Sequence, residues 1–195
     1  MTRALIAAAV LWLAATGADA AEFRTLELYR EGSWIRVESD IYLEAPPGGV
    51  YRVLADYDDF ERLSSVFVDS RMLEPIENGQ GVVYFRMRGC VLFFCREVEL
   101  VERVVVEPES RIEATIVPER SEMRRGWARW DIEPQGQGTL VRYVAEVEPE
   151  FWVPPLIGPL VIRAALKSRG IRAARRLEAL AAGRPIPPEL AVERP

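Results

Sequence analysis

The chain of 195 residues contains no histidine. That absence removes at once the commonest general base near neutral pH, the usual nucleophile triads and most zinc sites, so an ordinary hydrolase is disfavoured. No glycine-rich phosphate loop and no dinucleotide fingerprint occurs, which sets aside the nucleotide-dependent classes that those motifs serve. Positive charge is in deficit: 25 Lys and Arg stand against 30 Asp and Glu, a net charge of -5. A net acidic chain does not neutralise phosphates, so no general nucleic-acid binding is expected. Long apolar runs are also missing. The longest, Ala4 to Ala15, is about a dozen residues where a bilayer crossing takes ~20.

What is present begins with that run. Arg3 precedes it and Ala18-Asp19-Ala20 follows as a small-x-small cleavage site, so residues 1–20 read as a secretory signal peptide cut after Ala20. The expected mature protein starts at Ala21 and is secreted, with the periplasm as its expected location. Residues 21–183 are long enough for one domain with a real core, and the Pro-rich residues 184–195 read as a loosely ordered tail.

A long amphipathic helix is expected from about Pro155 to Ala182. Ile162, Leu166, Gly170, Ala173, Leu177 and Leu180 fall in one stripe, with Lys167, Arg172, Arg175 and Glu178 pointing away. Pro154 and Pro155 suit its entry, and Gly183 followed by Pro185 suits its exit. Arg163, Lys167, Arg169, Arg172, Arg175 and Arg176 crowd this helix. They serve either as a solvated face or as a contact for anionic lipid at a membrane surface. The middle of the stripe is small, so Gly170 and Ala173 either leave a cavity beneath the helix or let it pack closely on a sheet.

Upstream, Ser33 to Ala45 alternates with Ile35, Val37, Ile41 and Leu43 on one side, the mark of a half-buried strand. After Pro46-Pro47-Gly48-Gly49 the period changes, and Val50 to Leu63 predicts one or two short helices. Asp56, Asp58 and Asp59 lack the spacing of a calcium loop and suit a capped break between those helices. From Val66 to Glu150 six more strands are expected, with turns at Asn78-Gly79, Glu107 to Ser110 and Gln135 to Gly138. Their alternation puts Val83, Phe85 and Met87, then Ile112, Ala114 and Ile116, then Trp130 and Ile132, then Val141, Tyr143, Ala145 and Val147 on one face. The fold class is therefore α+β: an antiparallel sheet of about seven strands, two short helices after the first strand, and a long C-terminal helix as cover.

This order resembles the START-like helix-grip domains, or SRPBCC superfamily, and within it the polyketide cyclase/dehydrase and coenzyme Q-binding START-like branch. The likeness is carried by Val50-Tyr51-Arg52-Val53-Leu54-Ala55-Asp56-Tyr57-Asp58-Asp59-Phe60, by Gly126-Trp127-Ala128-Arg129-Trp130 and by Phe151-Trp152-Val153-Pro154-Pro155. The resemblance implies a curved sheet gripping the helix, with an apolar cavity between them for a lipid, a quinone or another hydrophobic small molecule; no cofactor is expected. The signal segment departs from the mitochondrial quinone-binding members and speaks against a respiratory-quinone role.

The candidate cavity residues are Phe85, Met87, Trp130, Tyr143, Phe151, Trp152, Leu166, Gly170 and Ala173. Large rings with one polar tip suit either a ligand pocket or a filled core. No catalytic residue and no metal ligand is assigned. Asp131, Glu133, Arg129 and Arg86 would serve a cyclase only if their strands were turned the other way. Cys90 and Cys95 are the two cysteines; in an oxidising compartment they are expected to form a disulfide. The bond would clamp Val91, Leu92, Phe93 and Phe94 as a cap on the cavity mouth or a membrane contact. If instead the apolar run continues a single strand, the two cysteines point to opposite faces and stay apart. Three functions follow: a binder or carrier of a hydrophobic small molecule, a cyclase or dehydrase in the same cavity, or a membrane-associated interaction protein.

Overall fold

The alternating segments are strands in the computed structural model. It describes residues 21–91, 94–151 and 159–191, with side chains throughout except at 91, 94, 159–163, 165 and 166. The strands are β1 (Glu22–Glu31), β2 (Trp34–Leu43), β3 (Phe67–Glu77), β4 (Gln80–Val91), β5 (Phe94–Glu107), β6 (Arg111–Ile116), β7 (Met123–Gln135) and β8 (Gly138–Pro149). Helix α1 (Pro47–Leu54) and a 3₁₀ segment (Tyr57–Arg62) separate β2 from β3, and helix α2 (Pro159–Ala181) follows β8. One curved, unclosed antiparallel sheet results, in the order β1-β2-β8-β7-β6-β5-β4-β3. Helix α2 packs on α1, β1 and β2 and reaches β4.

The sheet has eight strands among the described residues, one more than the alternation alone suggests. The additional strand, β1, carries Glu22, Arg24, Glu27, Arg30 and Glu31, and it sets Phe23 against the core. It is an edge strand, where charges discourage pairing with other chains and little apolar patterning is needed. The β3–β4 hairpin turns where expected, with Asn78 at φ 51° and Gly79 at φ 78°, both in the left-handed region that such a turn requires.

Helix α2 also ends where expected. Gly183 sits at φ 68°, its N–H donates to Leu180 O at 3.0 Å, and the Arg184 N–H donates to Ala179 O at 2.8 Å. This closes the last turn in the Schellman manner. Lys167, Arg172 and Arg175 are exposed, but Glu178 is buried, contrary to the expected polar face. Its carboxylate accepts from the Glu44 N–H at 2.9 Å and from Arg184 at 3.2 Å, so it is paired where it is buried. Arg176 is buried too, and donates to the carbonyls of Leu63, Leu190 and Ala191. Leu190 is buried within a short 3₁₀ turn, Pro188–Leu190. The tail is thus docked as far as residue 191 rather than loosely ordered.

Candidate functional site

A cavity of about 390 Å³ lies against the inner face of the sheet, walled on its other side by Leu54 of α1 and by Tyr57 and Phe60 of the 3₁₀ segment. Strand β5 runs along it and contributes every second residue, Arg96, Val98, Leu100 and Glu102. The six steps of strand from Arg96 to Glu102 span about 20 Å, so the cavity is a trough. Its width comes from the sheet. Ala114 of β6 pairs with Ala128 of β7, which pairs with Ala145 of β8, and all three alanines line the space. A row of methyl groups leaves empty what a row of Val, Ile or Leu would fill. Rings form the walls around that row. Phe60, Phe67 and Phe85 meet with centroids 4.9 to 5.4 Å apart on one side, and Trp130 and Tyr143 meet at 5.0 Å on the other.

Of the residues singled out from sequence, Phe85, Met87, Trp130, Tyr143 and Phe151 border the trough. Gly170 and Ala173 do not. Gly170 sits over β1, where an added Cβ would lie 3.2 Å from the Phe23 ring; the small centre of the helix stripe makes room for a ring, not for a cavity. Trp152, Leu92 and Phe93 lie outside the described residues, as do the side chains of Val91, Phe94 and Leu166. Asp131 pairs with Arg111 at 2.7 Å and with Arg129 at 3.1 Å, Glu133 pairs with Arg142, and Arg86 lies 3.9 Å from Glu97. None of these four candidates lines the cavity among the described residues. The three aspartates near α1 are used locally: Asp58 accepts from the Met72 N–H at 2.8 Å, and Asp56 and Asp59 each pair with Arg62 at 3.0 Å.

Cys90 and Cys95 are bonded, their Cα atoms 4.0 Å apart. The apolar run does extend the strands, yet it does so as the two arms of a hairpin. β4 reaches Val91, β5 begins at Phe94, and the two cysteines face each other across the pair. The single-strand alternative fails because the chain reverses between them. Arg169 of α2 donates to the Cys90 carbonyl at 2.9 Å, which ties the helix to this hairpin. The same end of the trough is open to water: Arg96 is exposed, pairs with Glu122 at 2.8 Å and lies 4.9 Å from the Phe151 ring centroid.

At the other end lies Glu102, which sequence reasoning missed. Val98, Leu100, Val104 and Val106 are buried in its row, and a carboxylate interrupting such a row is the signal that would have found it. The residue is half-buried, its side chain bordering the trough. Burial pushes its pKa up to about 7. Burial first, and then the Glu102 charge, raises the Tyr57 and Tyr143 phenols above their ordinary value. Among the described residues no hydrogen bond or ion pair reaches the Glu102 carboxylate, and the buried Tyr57 hydroxyl has no partner.

An open antiparallel sheet that grips a C-terminal helix and encloses an apolar trough defines a START-like domain. The chain belongs to the polyketide cyclase/dehydrase and lipid transport family, whose sequence profile matches residues 35–182. Solved structures agree in fold. A STAR-related lipid transfer protein from Xanthomonas axonopodis superposes with a TM-score of 0.65 at 13% identity, over 82% of this chain and 99% of that one. The aromatase/cyclase Zhui from a Streptomyces species gives 0.60 at 14% identity, over 76% and 93%. A START superfamily protein from Mycobacterium smegmatis gives 0.56 at 18% identity, over 74% and 94%. No curated protein matches by sequence.

Proposed function

We propose that this protein is a secreted, periplasmic binder or carrier of a hydrophobic small molecule. One observation carries the reading: a trough of about 390 Å³ walled by rings, aliphatic side chains and an alanine row, with Glu102 and Arg96 at its two ends. Such a space favours a ligand that leaves water for an apolar surface and is oriented by few polar groups. The lipid-transfer and aromatase/cyclase proteins of like fold are consistent with it. Secretion is supported by the signal-like residues 1–20 and by the disulfide, a bond favoured in oxidising compartments.

The test is mass spectrometry of organic extracts from protein purified out of its own periplasm. A co-purifying lipid, quinone or polyketide-like compound is expected, on a chain whose first residue is Ala21. A clean extract from folded protein overturns the carrier reading, and recovery only from the cytoplasm with residue 1 retained overturns secretion. A cyclase or dehydrase working in the same trough is the second reading. It is favoured by Glu102, since a carboxyl group with a pKa of about 7 suits proton transfer near neutral pH. Recovery of a ligand that incubation with the protein converts would decide for it.

A further inference from the structure

We propose that Glu102, with the phenol of Tyr143, forms a polar anchor in the inner part of the trough that selects a neutral hydrophobic ligand carrying a hydroxyl or phenolic O–H. This rests on the binder reading and deepens it by naming the ligand's chemistry. Along β5 the lining residues run from exposed Arg96 to Glu102, and the next in the row, Val104, is fully buried and does not line the trough. A molecule that enters beside Arg96 and slides along β5 therefore meets Glu102 last.

Glu102 and Tyr143 both line the trough in otherwise apolar surroundings. Glu102 is flanked by Val83 on β4 and Ile116 on β6, neither of which offers a side-chain hydrogen bond. Tyr57 is 4% exposed and its hydroxyl is sealed from the trough. Tyr143 lines the trough from β8, and the Glu102 charge is felt by both phenols. Leaving a carboxylate unpaired inside a protein is costly, and a ligand that satisfies it recovers that cost as affinity. The carboxylate needs a donor, while the Tyr143 phenol can donate to the lone pairs of the same ligand oxygen. An O–H group meets both demands. An anionic headgroup would sit beside a like charge, and an ammonium would have to give up its full hydration. The raised pKa of Glu102 is consistent with a group held ready without a counter-ion.

The test uses a matched pair, 4-nonylphenol and its methyl ether, which differ in the donor hydrogen. Each competes at pH 8 with the neutral apolar dye N-phenyl-1-naphthylamine for the purified protein. The wild type is expected to bind the phenol roughly tenfold tighter than the ether. Glu102→Leu should bring the two within about twofold, each affinity taken relative to that variant's own dye affinity, and Tyr143→Phe, which deletes one oxygen, should lower the ratio part way. Equal affinities for phenol and ether in the wild type, or a ratio unchanged in both variants, overturn the anchor while dye uptake leaves the binder reading standing. Dye uptake by neither wild type nor variants overturns both.

Discussion

The strands that wall the trough also cross a solid region, and the two differ in what covers them and in the size of one row of side chains. In the solid region Leu43, Val50, Val83, Val104, Ile112 and Val141 are at most 2% exposed. There α1 lies so close to the end of α2 that a Cβ on Gly49 would stand 2.2 Å from Ala181 O. In the hollow region Ala114, Ala128 and Ala145 replace branched side chains in adjacent strands. The 3₁₀ segment covers it through the rings of Tyr57 and Phe60. Emptiness here is set by methyl groups in the sheet and by rings that cannot collapse onto them, whereas closeness is set by a glycine between two helices.

The largest effect is expected where the solid region is forced apart. Gly49→Val brings a branched side chain against backbone that cannot yield, so α1 and α2 must separate. The loss should reach or exceed the ~3 kcal/mol typical of overpacking. Urea unfolding measures it, and a loss below ~1 kcal/mol would mean that the two helices adapt freely and that the contrast between the regions is overstated.

The next effect belongs to the hollow region. The folded-state pKa of Glu102 is raised from 4.5 to about 7, so the folded protein holds this proton more firmly than the unfolded chain does. Its contribution to stability is therefore fully present below pH 4.5 and is lost as the pH rises through about 7. Glu102→Gln removes that loss. The variant should exceed the wild type by up to about 3 kcal/mol at pH 8, with the difference shrinking toward zero near pH 4. Denaturant curves at the two pH values check the sign; a variant less stable at pH 8 would show that the carboxylate is paired.

How much of this contrast is legible in the sequence depends on the element. The period-two rows placed Phe85, Ile112, Ala114, Trp130 and Tyr143 on the inner face, because alternation and burial are the same fact in a sheet with one packed side. The α2 exit at Gly183 was legible for a similarly local reason. β1 was not, since a charged edge strand has no strong apolar pattern, and that omission hid the role of Gly170. Without Phe23 opposite it, a glycine in a helix stripe reads as an opening. The alanine row was equally hidden, because it becomes a row only when β6, β7 and β8 are set in register. Glu102 escaped for another reason: β5 has Val101 buried on one face and Val104 on the other, so its apolar residues do not declare a single inner side.

A smaller effect is expected at the open end of the trough. The Cys90–Cys95 bond closes a short ring, and the loop-entropy relation assigns such a ring about 2 kcal/mol. Replacing both cysteines by serine should cost no more than that in urea unfolding. Amide exchange should quicken at the ends of β4 and β5 and stay unchanged in α1 and in the last turns of α2. Faster exchange at Gly49 and Val50 as well would mean that the two regions unfold as one unit, and the comparison would lose its dynamic content.

The smallest change in stability should come from filling the hollow region. Ala128 stands in the middle of the alanine row, between Ala114 and Ala145, and faces the trough. Ala128→Leu adds three carbons there. In a filled core such an insertion costs about 1 to 3 kcal/mol through displaced neighbours. Here it meets open space, and the apolar surface it buries offsets the restriction of its own rotamers, so the net change should stay within about 1 kcal/mol of zero. Function should respond in the opposite proportion. The added side chain projects into the trough level with Val104, just past Glu102, and takes up ligand space, so uptake of N-phenyl-1-naphthylamine should fall at least roughly tenfold while the melting temperature hardly moves. A variant that unfolds easily but still takes up the dye would reverse the assignment, because it would make the alanine row part of the solid core and put the ligand space elsewhere.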